Sequence, residues 1–303
     1  MYSSATPILF KAVTPVHAGT GRELGIIDMP IQKESHTGIP KIEGASIKGC
    51  MREAYRLKNK DKSEENILFG YEDGNDGAGL IGFSDAKLLF YPIKSVQNLF
   101  TYITCTYLIN RFLEDKNFMN KCDIKSILED IKEGQAIIYT KNKDIKKGKK
   151  IVLDVYDFEI DCVCKLEENC DENDEKCCVE DIRELYKKLE LKRDIAVLND
   201  TDFMEIISLN REVITRNRID HETGIVKNGG LFIEEYLPAE SVLYSLLLVN
   251  GILEEQKKNK ELVKRYKQSI PKLLQIGGNK TIGKGIVKAL IYEGDKDGNN
   301  EKR

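Results

Sequence analysis

The sequence predicts an α+β fold, and three observations carry that prediction. Strand-like apolar patterns recur along the chain, at residues 4–13, 80–90, 211–220, 225–233, 241–249, 273–276 and 286–292. Helical spacing interrupts them at irregular intervals, at 47–58, 179–191 and 254–266. No regular strand–helix–strand beat and no internal repeat runs through the 303 residues, which disfavours a doubly wound sheet.

The first strand sets Ile8, Phe10 and Ala12 on one face and Leu9, Lys11 and Val13 on the other. A glycine-rich stretch follows, with Gly19, Gly21, Gly25, Gly38, Gly44 and Gly49 between residues 14 and 52. Glycine is tolerated where a chain turns tightly or lets another backbone approach. Pro30 biases Met29 away from helix, so Asp28 falls on an extended loop. Ser46 is the expected N-cap of the helix at 47–58. Ile47, Met51, Ala54 and Tyr55 are its inward residues, while Lys48, Arg52 and Arg56 recur at i, i+4 and i+8. Residues 71–79 read as a turn-rich loop, and 96–112 as mixed strand and helix. Residues 117–157 are polar and Lys-rich without a clear period. Residues 211–220 and 225–233 form a hairpin, with Ile214, Arg216 and Arg218 on its basic face. The tail 294–303 is charged and expected to be disordered.

Length allows one large domain or two small ones, with ample chain to bury a core. There is no run of 18 apolar residues, hence no expected membrane span, and residues 1–15 lack the regions of a signal peptide. The eight cysteines are therefore expected to be reduced and the chain cytoplasmic. Net charge is −3, which alone argues against a nucleic-acid partner. The charge is unevenly spread, however. Residues 167–184 carry nine acidic and two basic side chains, whereas the glycine-rich motifs carry Lys33, Lys41, Lys48, Arg52, Lys280, Lys284 and Lys288. Local field matters more than net charge for binding a polyanion.

Residues 278–285, GNKTIGKG, approach a nucleotide-binding phosphate loop. Gly285 replaces the hydroxyl residue that such a loop needs for Mg2+, and a strand follows instead of a helix. The stretch still offers backbone N–H groups and lysines to the phosphates of a polymer. From pattern alone Asp28 reads as a turn-capping residue, the alternative being a carboxylate that binds a divalent cation or orients a nucleophile. His17 and His36 read as structural histidines or as acid–base groups. The pairs Cys162/Cys164 and Cys177/Cys178 have spacings that chelate zinc poorly.

Taken together, TPVHAGTG, IDMPIQKE, HTGIP, GASIKGCMR, GGLFIEEYLP and LQIGGNKTIGKG resemble the signature segments of the RAMP superfamily, most closely the backbone subunits of type III-B (Cmr) CRISPR effector complexes. These six segments run in family order from about residue 14 to 287. The resemblance implies a single domain over 1–303 with a ferredoxin-like (RRM-like) palm. It also implies helical finger insertions at about 113–205 and a thumb-like hairpin at about 211–233. Copies would stack in a helical filament along a guide CRISPR RNA with other subunits of the complex, with no membrane partner. Target RNA would be cut at regular intervals with Mg2+ or Mn2+. Asp28 matches the family's catalytic, metal-binding aspartate, and His17, Glu234 and Tyr236 match further positions of the cleavage site. Lys48 and Arg52 match the guide-binding helix, and Arg56 continues its basic side. Gly278, Lys280, Gly283 and Lys284 lie in the glycine loop, and Arg216 and Arg218 on the hairpin; all are expected to meet RNA. Lys33 stands where arginine is usual, and the acidic Cys-rich stretch at 161–180 departs from the family pattern. The alternatives are a structural guide-binding subunit without nuclease activity and a guide-precursor-processing endonuclease.

Overall fold

The computed structural model describes residues 2–71, 77–118, 128–167, 179–254 and 257–293. The expected tail at 294–303 lies outside them, as do Cys170, Cys177 and Cys178.

The chain opens with β1 (Tyr2–Ala12), crosses the glycine-rich segment to the short β2 (Lys41–Ile42), and enters α1 (Gly44–Lys58) and α2 (Lys62–Phe69). Next come β3 (Ile81–Phe83), β4 (Ala86–Lys94), β5 (Phe100–Cys105) and α3 (Thr106–Lys116). A second block holds β6 (Gln135–Thr140), β7 (Lys150–Leu153), β8 (Tyr156–Lys165), α4 (Glu180–Lys188), β9 (Ile195–Leu198) and α5 (Asp200–Leu209). The chain then forms a hairpin from β10 (Glu212–Ile219) and β11 (Val226–Tyr236). It closes with β12 (Val242–Asn250), α6 (Gly251–Glu254), α7 (Lys257–Ser269), β13 (Leu273–Gln275), a short 3-10 turn at Lys280–Ile282 and β14 (Ile286–Ile291).

One sheet runs β13–β14–β1–β12–β4–β5–β9–β6–β8–β7, with β2 on β4 and β3 on β12. Within it β1 lies antiparallel between β12 and β14. Both faces are covered. Ile8 and Phe10 join a core with Ile47 and Met51 of α1 and Leu262 of α7, whereas Leu9 joins a second core with Phe112 of α3 and Ile182 of α4. The predicted alternation of β1 is therefore a partition between two cores, not between core and water. Among the described residues no helix is long and apolar enough to cross a membrane.

Three expectations are corrected. The region expected as helical fingers supplies four strands, β6 to β9, to the shared sheet besides α4 and α5. Two of these strands, β6 and β9, are short buried runs such as Ile195–Leu198, and the alternating β8 is set among Lys-rich turns. The helix expected to start after Ser46 begins at Gly44, with Glu43 at the cap position and no side-chain cap. Its first N–H is taken instead by Asp85 Oδ1 at 2.8 Å, across 41 residues of chain. A Cβ at Gly44 would lie 2.6 Å from the Phe83 carbonyl, so this approach needs glycine. Finally, Cys50 and Cys105 are free, but Cys162 and Cys164 each take part in a disulfide. The two alternate on β8, which puts both on one buried face.

Candidate functional site

The hairpin base, the N-terminal segment and the C-terminal glycine loop converge. Strand β11 is paired on one edge with β10, with Ile233 opposite Thr215 and Glu234 opposite Ile214. Its other edge carries residues 28–31 as a short strap. Met29 N–H donates to the Ile233 carbonyl (3.0 Å), and Glu235 N–H donates back to the Met29 carbonyl (3.0 Å). The N–H of Ile233 itself donates to Asp28 Oδ2 at 2.8 Å. Asp28 thus continues the ladder with its side chain, and it stays partly exposed.

Successive strand residues point to opposite faces, so the Glu234–Glu235 pair divides the site in two. On one side Glu234, which is buried, meets Arg216 Nη1 (3.0 and 3.1 Å), Tyr236 Oη (2.5 Å) and Asn279 Nδ2 (3.1 Å). Asn279 also donates to Tyr236 Oη at 2.8 Å and accepts from Arg216 at 3.2 Å. Burial works against the Glu234 charge, but the Tyr236 hydroxyl and Arg216 outweigh it and hold the carboxyl below its ordinary range. Burial, then the bond to Glu234, pushes the Tyr236 phenol up to about 12. At neutral pH Tyr236 is therefore a donor, and Glu234 is the charge that receives it.

On the other side Glu235, fully buried, accepts from Ile31 N–H (3.1 Å), Lys33 Nζ (2.9 and 3.0 Å) and Arg211 Nη1 (3.1 Å).

His17 bridges the two halves. Its Nδ1 lies 2.8 Å from the Glu235 carbonyl, and its ring is 5.4 Å from that of Tyr236. A carbonyl only accepts, so Nδ1 carries the proton and Nε2 of the neutral ring is the free acceptor. Nε2 packs against Gly19, where a Cβ would stand 2.6 Å away. The His17 carbonyl takes Gly278 N–H (2.8 Å), and Pro15 takes Gly285 N–H (2.8 Å). Gly283 N–H and Lys284 N–H turn back on Lys280 and Asn279. The glycine loop therefore spends these donors inside the fold, turns Asn279 inward, and leaves Lys280, Thr281 and Ile282 exposed.

His17, Glu234, Tyr236 and Arg216 are brought together, and Asp28 reaches them through the backbone of β11. Lys284 lies 4.7 Å over the Tyr236 ring and 3.7 Å from Glu212. Arg216 and Arg218 flank Phe232 at 5.4 and 5.6 Å. Arg52 and Arg56 turn away, to Glu65 of α2 at 2.6 and 2.8 Å. Lys48, Arg218 and Lys280 make no ion pair among the described residues. Asn279, Glu235 and Arg211 escaped the sequence reading. A Glu–Glu doublet on an alternating strand was the available signal, since one member must point to each face.

Among the described residues no group of three or more His, Cys, Asp or Glu could hold a metal. Asp28 offers a single carboxylate, and Glu234 is spent on Arg216, Tyr236 and Asn279. An all-protein metal cage does not fit here.

The RAMP superfamily profile matches residues 9–288, and the chain belongs to that superfamily. Within it the likeness is to Cmr4 subunits. The CRISPR system Cmr endoribonuclease Cmr4 of Pyrococcus furiosus is 34% identical over 297 residues, covering 94% of this chain and 95% of the relative. The crystal structure of oligomeric Cmr4 from Pyrococcus furiosus superposes with a TM-score of 0.72 at 28% identity, over 95% of this chain and 97% of that one. A chain of the type III-B Cmr-beta complex bound to cognate target RNA shares the fold, with a TM-score of 0.76 at 23% identity over 96% of this chain and 98% of that one.

Proposed function

We propose that this chain is a guide-RNA-binding backbone subunit of a type III-B CRISPR effector complex, and that it cuts complementary target RNA. In this reading β14–β1–β12–β4, with α1 and α7 as crossovers, form a ferredoxin-like palm. The β10–β11 hairpin is the thumb, and residues of about 113–205 are the finger insertion. Copies of the chain stack along the guide beside other subunits. Backbone contacts to a guide must be sequence-independent, because guides differ, and lysines on a glycine loop meet that need. The cytoplasm is part of the proposal on the ground of its RNA partners. The cysteines no longer support it, since Cys162 and Cys164 are bonded.

The observation that carries the reading is the carboxylate of Asp28 fixed at the hairpin base, bonded to the same strand that supplies His17's partner carbonyl. RNA brings its own nucleophile in the 2′-OH. The site must hold the 2′-oxygen, phosphorus and leaving 5′-oxygen in line and help the proton leave. Asp28 has Oδ1 available, and His17 presents Nε2; both are acceptors for that proton. Glu234 and Tyr236, buried and bonded to each other, set the shape of the site. A divalent cation would be held by one Asp28 oxygen together with RNA phosphates and water, the ligand set that suits Mg2+. It would neutralise charge on the phosphate. The expected ends are 2′,3′-cyclic phosphate and 5′-hydroxyl.

The bond from Ile233 to Asp28 also favours a second reading, in which Asp28 only shapes its loop and the subunit is structural. The assembled complex, with guide and end-labelled complementary RNA, separates the two. Under the first reading Asp28→Ala binds target as wild type does and no longer cuts, and EDTA also stops the wild type. Equal cutting by the variant at the same sites would make Asp28 a loop residue and turn the search for the cutting group to His17, Glu234 and Tyr236.

A further inference from the structure

We propose that Glu235 is a positioning residue that sets the register of the strap carrying Asp28. The proposal deepens the reading above and rests on Asp28 being the group that drives cleavage.

Besides the bond of Asp28 to Ile233, the strap has three links to β11. Two are backbone bonds around Met29, and the third is Ile31 N–H to Glu235 Oε2 at 3.1 Å. Five residues after Asp28, Lys33 closes on the same carboxylate at 2.9 Å. Arg211, at the entry to β10, closes on it at 3.1 Å from the opposite strand. One buried carboxylate therefore ties together the strap, β11 and the start of the hairpin. Asp28 finds Ile233 N–H only while Met29 stays opposite Glu234. A strap slipped by one residue would turn Asp28 to the other face. Glu235 does not touch Asp28, and its own side chain is sealed from solvent, so its influence runs through the backbone.

Two features of Glu235 can be separated by substitution. Glu235→Gln keeps the reach, so its amide oxygen still accepts from Ile31, but it removes the charge. Lys33 and Arg211 tolerate that loss, because their side chains keep 25% and 34% of their exposure and reach water. Glu235→Asp keeps the charge and withdraws it by one methylene from Ile31. If register is what matters, Gln cuts faster than Asp. If Glu235 served only to neutralise two cations, Asp would outperform Gln.

The test compares wild type, Glu235→Gln, Glu235→Asp, Glu235→Ala and Asp28→Ala in the assembled complex with guide, under single-turnover conditions, with target binding measured separately. Misplacement of about 1 Å costs up to about a hundredfold in rate. Glu235→Ala and Glu235→Asp are therefore expected to cut ten- to a hundredfold more slowly, at roughly the same target affinity. Glu235→Gln is expected to recover to within about fivefold of wild type. An Asp variant as fast as the Gln variant, or wild-type rates throughout, overturns the proposal. Should Glu235→Ala fail to assemble, the order of Gln and Asp decides. Asp28→Ala is inactive if the functional reading holds. Should it cut normally, that reading falls first and this proposal with it, whereas an inactive Asp28→Ala beside an unaffected Glu235→Asp removes this proposal alone.

Discussion

His17 is held in place by what its neighbours lack. A Cβ on Gly19 would meet its Nε2 at 2.6 Å, and one on Gly277 would meet its carbonyl at 2.3 Å. The two glycines predict different outcomes. At Gly19 the obstacle is the end of a ring that can rotate, and the backbone there lies outside the left-handed region. Gly19→Ala is expected to leave the melting temperature nearly unchanged and to slow cleavage by displacing His17. At Gly277, with φ of +82°, the obstacle is backbone. There Gly277→Ala should cost about 2 kcal/mol or more, from strain and from separating the glycine loop from the N-terminal segment. Thermal melting beside single-turnover cutting distinguishes the two. A Gly19→Ala protein with full activity would show that the orientation of His17 is irrelevant. These roles were not legible in the sequence. Glycine density marks a stretch as crowded or bent, but which atom does the crowding is set by distant chain: His17 stands 260 positions from Gly277, and it is held by Glu235, 218 positions from it.

The helix α1 shows how a correctly read element can hide what packs beside it. Spacing found its inward side, with Ile47, Met51 and Tyr55 buried. The spacing set three cations along one side, which the family resemblance assigned to RNA, and two of them, Arg52 and Arg56, pair with Glu65 of α2. Sequence reveals which residues share a side of a helix, not what packs there. The hydrogen bonds from Arg56, then Arg52, outweigh burial and hold the Glu65 carboxyl down at about 2, against an ordinary 4.5. A folded-state value below the unfolded one stabilises the fold above the unfolded value. That stabilisation is lost as pH falls from about 4.5 toward 2. It amounts to about 3 kcal/mol at neutral pH. Glu65→Gln should therefore lower the denaturation midpoint at pH 7 and flatten its fall between pH 5 and 2. An acid limb identical to wild type would show that the pair contributes nothing. Lys48 offers the contrast: Lys48→Ala should weaken guide binding in low salt while leaving stability unchanged, because it makes no ion pair among the described residues.

At the scale of the molecule, the sequence was most legible where one face meets water. The alternation of β10 announced the hairpin, and the doublet of strands around the glycine loop announced the C-terminal pairing. It was least legible at β6 and β9, where continuous buried runs lose period two; β8 keeps that period but lies among the Lys-rich turns of the same block. The hairpin stands apart from that double core in its own two-stranded sheet. Its far end carries exposed apolar side chains among polar ones: Ile219 is 54% exposed, Ile225 68% and Leu231 64%. Its base is tied in by Glu234, Glu235 and Tyr236. This division predicts that the tip and the fold are separable. Replacing residues 219–226 by a two-residue turn removes no residue of either core and leaves the ties at the base. The shortened chain should keep its circular dichroism spectrum and melt within about 3 °C of wild type, as expected when almost no buried area is lost. If the tip acts on the guide–target duplex, as a thumb would, cutting should fall sharply or lose its regular spacing while guide binding persists through the palm. A shortened chain that melts far lower would mean that the tip packs on a core surface. One that folds and cuts at unchanged sites would mean that the spacing of the cuts is set by the palm and its Asp28 strap alone.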